Sequence, residues 1–229
     1  MIIKKLSQYI KENNNSNYFQ IIDYTNLNTL TNDDIKKICS TVEEKQFYSI
    51  CILPEYVSIV SSFLEDKDIK VVATIDFPKG DSSSTEKIKE IDKSLVNGAD
   101  EIDVVLNYKL IKKKEYETLE NEIRSITEYT HKEGKIVKFI IEIGTLSFQE
   151  IEHICEICVD SNADFIMTST GKLPNDSNFD DKVKKVKFMR KIMPDDTKIK
   201  FSGGIRTNAQ IEQVAQYCDR IGTSSLNLV

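Results

Sequence analysis

The chain has 229 residues, 40% hydrophobic and 30% charged, the balance of a soluble globular chain long enough for one sizeable core and one domain spanning 1–229. Its formal net charge of −6 supplies no general field for nucleic acid or an anionic membrane, so an anionic ligand needs a local site. The N-terminus, MIIKKLSQYI, has no apolar run long enough for a signal peptide or a span, and five scattered cysteines fit a reducing cytoplasm better than a disulfide framework.

Residues 1–17 read as an N-terminal helical turn and a polar spacer, NNNSN. From there, strand-length apolar runs alternate with amphipathic segments. The first run is YFQIIDYT (18–25), after which Thr31 and Asp34 form a capping box ahead of a stripe of Ile35, Ile38, Cys39 and Val42. YSICILP (48–54) and IKVVATIDF (69–77) follow. Ile88, Ile91, Leu95 and Val96 then mark a helix face that Gly98 stops. After EIDVVLN (101–107), Lys112–Lys114 reads as the solvated start of a helix, with Leu119, Ile123, Ile126 and Thr130 as its stripe. VKFIIEIG (137–144) precedes a helix opened by Ser147 and Glu150 and carrying Ile151, Ile154 and Cys158. DFIMTST (164–170) and KIKFSGG (198–204) come next. Ile211, Val214, Ala215 and Cys218 line the last helix before RIGTSS (220–225).

Ile- and Val-rich runs of this kind suit parallel strands covered on both faces. Eight of them, roughly 20 to 35 residues apart, predict a (β/α)8 TIM barrel, a fold of about 250 residues. A doubly wound sheet is the alternative, but the GxGxxG turn that should follow its first strand is absent. The chain stops at Leu226-Asn227-Leu228-Val229, so the last helix reads as missing or truncated. A bare barrel wall would be an apolar patch, and that favours a homodimer.

A barrel's chemistry stands at the C-terminal ends of its strands. Polar groups interrupt the apolar runs there: Asp23 and Thr25, Cys51, Thr74 and Asp76, Asp103, Lys138 and Glu142, and Lys200. Each alone could be a cap or a salt bridge. Buried charges cost several kcal/mol unless paired or used, and Asp103 with Lys200 is a natural pair. Gly203-Gly204 and Gly222 with Ser224 and Ser225 follow the seventh and eighth strands, where barrels hold phosphate through backbone N–H groups and hydroxyls. The same glycines would also suit tight turns. Gly171-Lys172 could add charge to the same anion. Cys155 and Cys158 form a CxxC with no second pair beside it. The only histidines, His131 and His153, fall in predicted helices, so no metal site and no cofactor is expected.

IDYTNL, YSICILP, ATIDFPKG, GADEIDVVLN, VKFIIEIG, ADFIMTSTGK, KFSGGIRT and RIGTSS, in this order and spacing, resemble the deoxyribose-phosphate aldolase family over nearly the whole chain. The resemblance implies a metal-free Schiff-base lyase that cleaves 2-deoxy-D-ribose 5-phosphate into D-glyceraldehyde 3-phosphate and acetaldehyde. It implies Lys200 as the strand-seven lysine and Asp103 as the proton-relaying aspartate. Asp23, Thr25, Cys51 and Thr168 would line the substrate cleft. Gly171, Lys172, Gly203, Gly204, Gly222, Ser224 and Ser225 would bind the phosphate.

The strand-six lysine that attacks the aldehyde in that family has no counterpart here, because Met167 stands in its place. A thioether forms no imine, so the chain as written is expected to lack the normal aldolase cycle. Three accounts fit: a disabled enzyme, a natural sugar-phosphate-binding or partner-binding homologue, and Lys200 acting as the nucleophile instead.

Overall fold

Along each apolar run, alternate residues face opposite sides of a sheet, and the two sides carry different chemistry. The computed structural model describes residues 18–174, 178–226 and 228. The expected N-terminal extension, 1–17, lies outside the described residues. Eight strands, β1 (Ile22–Asn26), β2 (Ser49–Ile52), β3 (Lys70–Ile75), β4 (Glu101–Val105), β5 (Ile136–Ile140), β6 (Phe165–Met167), β7 (Lys198–Phe201) and β8 (Arg220–Thr223), pair in parallel. Pairing of β8 with β1 closes them into the expected TIM barrel.

Helices fill the crossovers. They are α1 (Asn32–Lys45), α2 (Val57–Phe63), α3 (Ser84–Val96), α4 (Tyr108–Lys113), α5 (Tyr116–Lys132), α6 (Phe148–Asp160), α7 (Phe179–Ile192) and α8 (Asn208–Ala215). Capping boxes start α1 at Thr31 and Asp34, α3 at Ser83 and Glu86, α6 at Ser147 and Glu150, and α8 at Thr207 and Gln210. Each satisfies orphan backbone donors and is worth on the order of 1 kcal/mol. Among the described residues no helix follows β8, and none is long and apolar enough to cross a membrane.

The outward strand residues, such as Ile50, Ala73, Ile102, Phe139, Ile166 and Ile221, pack with the inner faces of the helices into one large apolar core. Ile35, Ile38, Cys39 and Val42 on α1, and Leu119, Ile123, Ile126 and Thr130 on α5, are buried as their spacing predicts.

Three local readings differ. Tyr18–Ile21 forms a 3-10 turn ahead of β1 rather than the start of the strand, so β1 keeps only the residues that pair with β2 or β8. Val96 is 81% exposed, because it closes α3 just where the chain turns away at Gly98, whose φ is +101°. Lys112 and Lys113 end the short α4 instead of starting a helix. Lys114 caps it in the left-handed region, and the cationic end suits the negative pole of a helix.

Candidate active site

Inside the barrel the same strands present charge. Asp23 on β1, Glu101 and Asp103 on β4, Lys138 on β5, Lys200 on β7 and Arg220 on β8 form a buried layer of three carboxylates and three cations. Lys200 Nζ donates to Asp103 Oδ2 at 2.6 Å and lies 2.7 Å from Asp23 Oδ2, the latter contact not aligned as a hydrogen bond. Lys138 Nζ lies 2.8 Å from Asp103 Oδ1 and 2.7 Å from Glu101. Arg220 completes the ring, 3.0 Å from Asp23 and 3.5 Å from Glu101. Every charge in the layer is answered, which is what allows charge to be buried at all.

The pairing fixes the protonation states. Burial alone would push the Lys200 ammonium to deprotonate, but the Asp103 and Asp23 carboxylates outweigh it and hold Lys200 well above the ordinary lysine range. Lys138 is raised in the same way by Asp103 and Glu101 against its own desolvation. Burial pushes the Asp103 carboxyl up, yet Lys138 and Lys200 bring it below the usual range; Asp23 is lowered by Lys200 and Arg220 against a similar penalty. Cys51 donates its thiol to Asp103 at 3.2 Å. Burial first, then the neighbouring carboxylate, pushes that thiol up to about 12, so it remains protonated.

Above this layer, at the C-terminal ends of the strands, opens a cavity of about 210 Å³. One side is a cradle of backbone. Gly203 and Gly204 after β7 have φ of +82° and +86°, the left-handed region that glycine enters without a steric penalty. The Gly203 carbonyl accepts from Lys182 Nζ of α7 at 2.6 Å, which fixes the loop from behind. A side chain at Gly222 would come within 3.0 Å of Ser202 Cβ and 3.4 Å of Lys200 Cε, so that strand end must stay bare. Gly171, Lys172, Arg206 and Ser224 complete this side.

The loop after β6 is held from both directions. Glu142 accepts from the backbone N–H and the hydroxyl of Thr170. Ser202 Oγ donates to the Ser169 carbonyl at 2.6 Å and accepts from the Ser169 N–H at 3.2 Å.

Met167 lies in this cavity wall, beside Lys200 in the β6–β7 register and beside Ile140 in the β5–β6 register. With Val105 and Ile140 it forms a small buried cluster apart from the main core, against which Phe77 packs. Thr25, Cys51 and Thr74 line the same cavity from β1 to β3.

The family model for DeoC/LacD family aldolases matches residues 13–223. The chain belongs to that family. It is 38% identical over 208 residues to the deoxyribose-phosphate aldolase of Thermococcus kodakarensis, covering 89% of this chain and 91% of that protein. It is 39% identical over 206 residues to the deoxyribose-phosphate aldolase of Treponema denticola, covering 89% and 94%. Among solved structures, an aldolase at 32% identity superposes with a TM-score of 0.84 over 92% of each chain. A tetrameric deoxyribose phosphate aldolase from Aeropyrum pernix shares the fold at 24% identity, with a TM-score of 0.84 over 96% of this chain and 93% of that one.

In this DeoC/LacD family aldolase, not every residue singled out in the sequence lies on the cavity. Asp23, Asp103 and Lys200 sit beneath it, joined to it through Cys51. Thr168 is outside the lining altogether. It has the opposite strand parity to Met167, and its hydroxyl donates to the Ser202 carbonyl at 2.9 Å and accepts from the Ser202 N–H at 2.8 Å. It thereby joins the ends of β6 and β7. Ser225 also falls outside the lining, its N–H donating to Thr223 Oγ1 at 3.1 Å. Gly171, Lys172, Gly203, Gly204, Gly222 and Ser224 do line it.

Sequence reasoning gave no role to Glu101 or Arg220 in the ionic layer, to Phe77, Val105 and Ile140 around Met167, or to Ser202 and Lys182 as supports. Strand parity would have found the first two, since each lies an even number of residues from an inward charge or an inward glycine. His131 pairs with Asp164 at 2.8 Å, at the end of the barrel away from the cavity.

Proposed function

We propose that this protein carries the deoxyribose-phosphate aldolase site, built to hold an aldose phosphate, in a form that does not cleave it. The carrying observation is Met167, in register with Lys200 in the wall of a cavity that also holds the glycine cradle. In Schiff-base cleavage a neutral amine adds to the aldehyde carbon, water leaves, and the resulting iminium accepts the electron pair of the breaking C–C bond. A thioether has no proton to lose and no nitrogen to form that iminium.

Lys200 does not supply the missing amine. Its two carboxylate partners keep it as an ammonium, and it lies beneath the cavity instead of in its wall. The neutrality of the ionic layer gives the converse argument. Charges in the layer balance without residue 167, so a lysine placed there would bring a cation with no carboxylate of its own, beside the Lys200 ammonium and an apolar cluster. Both effects lower a lysine's pKa and release the free amine.

The decisive experiment is Met167→Lys, assayed for cleavage of 2-deoxyribose 5-phosphate and for borohydride-trapped adduct by intact mass. The unmodified chain is expected to give neither. The variant should form an adduct at position 167 and gain at least about 10³-fold in cleavage, the scale on which removing an essential nucleophile acts. A stable adduct on Lys200 of the unmodified chain, or a variant that binds but never turns over, would refute the reading.

A further inference from the structure

The glycine cradle has a front and a back. On the front, Gly203, Gly204, Ile205 and Arg206 line the cavity. Among the described residues the N–H groups of Gly203, Gly204 and Ile205 donate to nothing in the protein, whereas those on either side are engaged. The Ser202 N–H donates to Thr168 Oγ1 at 2.8 Å, and the Arg206 N–H to Gln210 Oε1 at 2.8 Å. Three consecutive free donors in one turn form a concavity suited to an anion.

On the back stands α7. Its Phe179 ring packs edge-on against Phe201 of β7, with centroids 5.7 Å apart, and Val183 and Val186 are buried in the large core. Held by these anchors, Lys182 is wholly buried, its Nζ 5.8 Å from the centre of the Phe201 ring and 2.6 Å from the Gly203 carbonyl to which it donates. A side chain at Gly204 would come within 3.9 Å of that nitrogen. An aliphatic residue would fill this space without desolvating an amine, so the lysine is there for the carbonyl.

The Gly203 carbonyl and the Gly204 N–H belong to one peptide unit. That unit is trans, and in a trans unit the two groups point in opposite directions. Holding the carbonyl against α7 turns the Gly204 N–H away from α7, towards the cavity. Donation to the carbonyl oxygen also polarises the amide and strengthens its N–H as a donor. We propose that Lys182 is a positioning residue of the phosphate site. It does not touch the ligand; it acts through the Gly203–Gly204 peptide, aiming and polarising an N–H that meets a phosphoryl oxygen. This rests on the phosphate-site reading above and adds the helix that tunes it.

Gly203-Gly204 is the one Gly-Gly pair in the chain. Protein grown on glycine labelled at its carbonyl carbon and nitrogen, with serine supplied unlabelled, therefore gives a single amide-to-carbonyl NMR correlation, that of this peptide. Inorganic phosphate should move the Gly204 amide proton of the unmodified protein downfield, and titrating that signal gives the affinity. Lys182→Met keeps the length and removes the donor. It should move the Gly203 carbonyl carbon upfield in the free protein and weaken phosphate about five-fold, the scale of one hydrogen bond. Lys182→Arg retains a donor, serves alone if the methionine variant does not fold, and should show carbonyl shift and affinity changing together or not at all. Phosphate affinity unchanged in Lys182→Met, or affinity lost in either variant with the carbonyl signal unmoved, would overturn the inference and leave the phosphate site standing. A Gly204 signal that millimolar phosphate does not move in the unmodified protein would remove the phosphate-site reading, and this inference with it.

Discussion

Ile102 and Asp103 are adjacent on β4 and both wholly buried, yet they belong to different environments. Ile102 enters the large apolar core between strands and helices, where dispersion and desolvation are non-directional and another aliphatic chain of similar volume would serve. Asp103 enters the barrel interior, where Lys138, Lys200 and Cys51 converge on its two oxygens. There, identity matters more than volume, because each group's charge is held by a particular partner. The outer side of the sheet specifies the barrel, and the inner side specifies what the barrel can do.

Breaking one inner partner should therefore cost more than its size suggests. Lys200→Met keeps length and removes the ammonium, leaving Asp23 and Asp103 facing each other without it. The expected loss is about 3–5 kcal/mol in denaturant unfolding, the usual result of stripping one member from a buried ion pair. A loss below about 1 kcal/mol would mean that the layer is not the tight charge-matched unit described.

The same difference has a pH signature. Asp23 and Asp103 titrate in the folded protein below their unfolded values of about 3.9, so their stabilisation is complete above about pH 4 and is lost as the pH falls through the lowered values. Lys200 and Lys138 titrate above about 10.4, so theirs is complete below that and is lost as the pH rises through the raised values. Melting temperatures should be nearly flat from about pH 5 to 9 and fall outside that range. In Lys200→Met the acid limb should flatten, because that cation no longer lowers the two carboxyls.

What was legible in the sequence follows the same division. The barrel could be read because eight apolar runs and the stripes of α1, α5 and α6 repeat a simple physical requirement, burial on one face. The Asp103–Lys200 pair could be read because two charges inside apolar strands need each other. The rest of the interior was harder. Glu101 stands at the very start of β4 and Arg220 at the very start of β8, where composition alone suggests an ordinary solvated strand end and only parity with Asp103 and Gly222 marks the inward face on which barrel closure brings them within 3.5 Å. Thr168 was grouped with the cleft residues because its neighbours in TSTGK meet the cavity. One residue of strand parity turns its hydroxyl towards Ser202 instead. The small cluster around Met167 was invisible for a different reason, since Val105, Ile140 and Phe77 look like core in any sequence.

Thr168 also gives the smallest and most discriminating test of the division, because it sits where the two environments meet. Its side chain has outward parity, but its two hydrogen bonds hold Ser202, and Ser202 in turn holds Ser169 in the cavity wall. Thr168→Val preserves shape and removes the hydroxyl, leaving the Ser202 N–H and carbonyl without that partner. Stability should drop by about 1–3 kcal/mol, the range for a buried polar group left unpaired. Because Ser202 leads directly into Gly203 and Gly204, inorganic phosphate affinity should fall several-fold as well. If stability drops while affinity holds, the cradle is positioned by Lys182 and its own glycine backbone. If both fall together, the outer face of β6 reaches into the chemistry of the inner one.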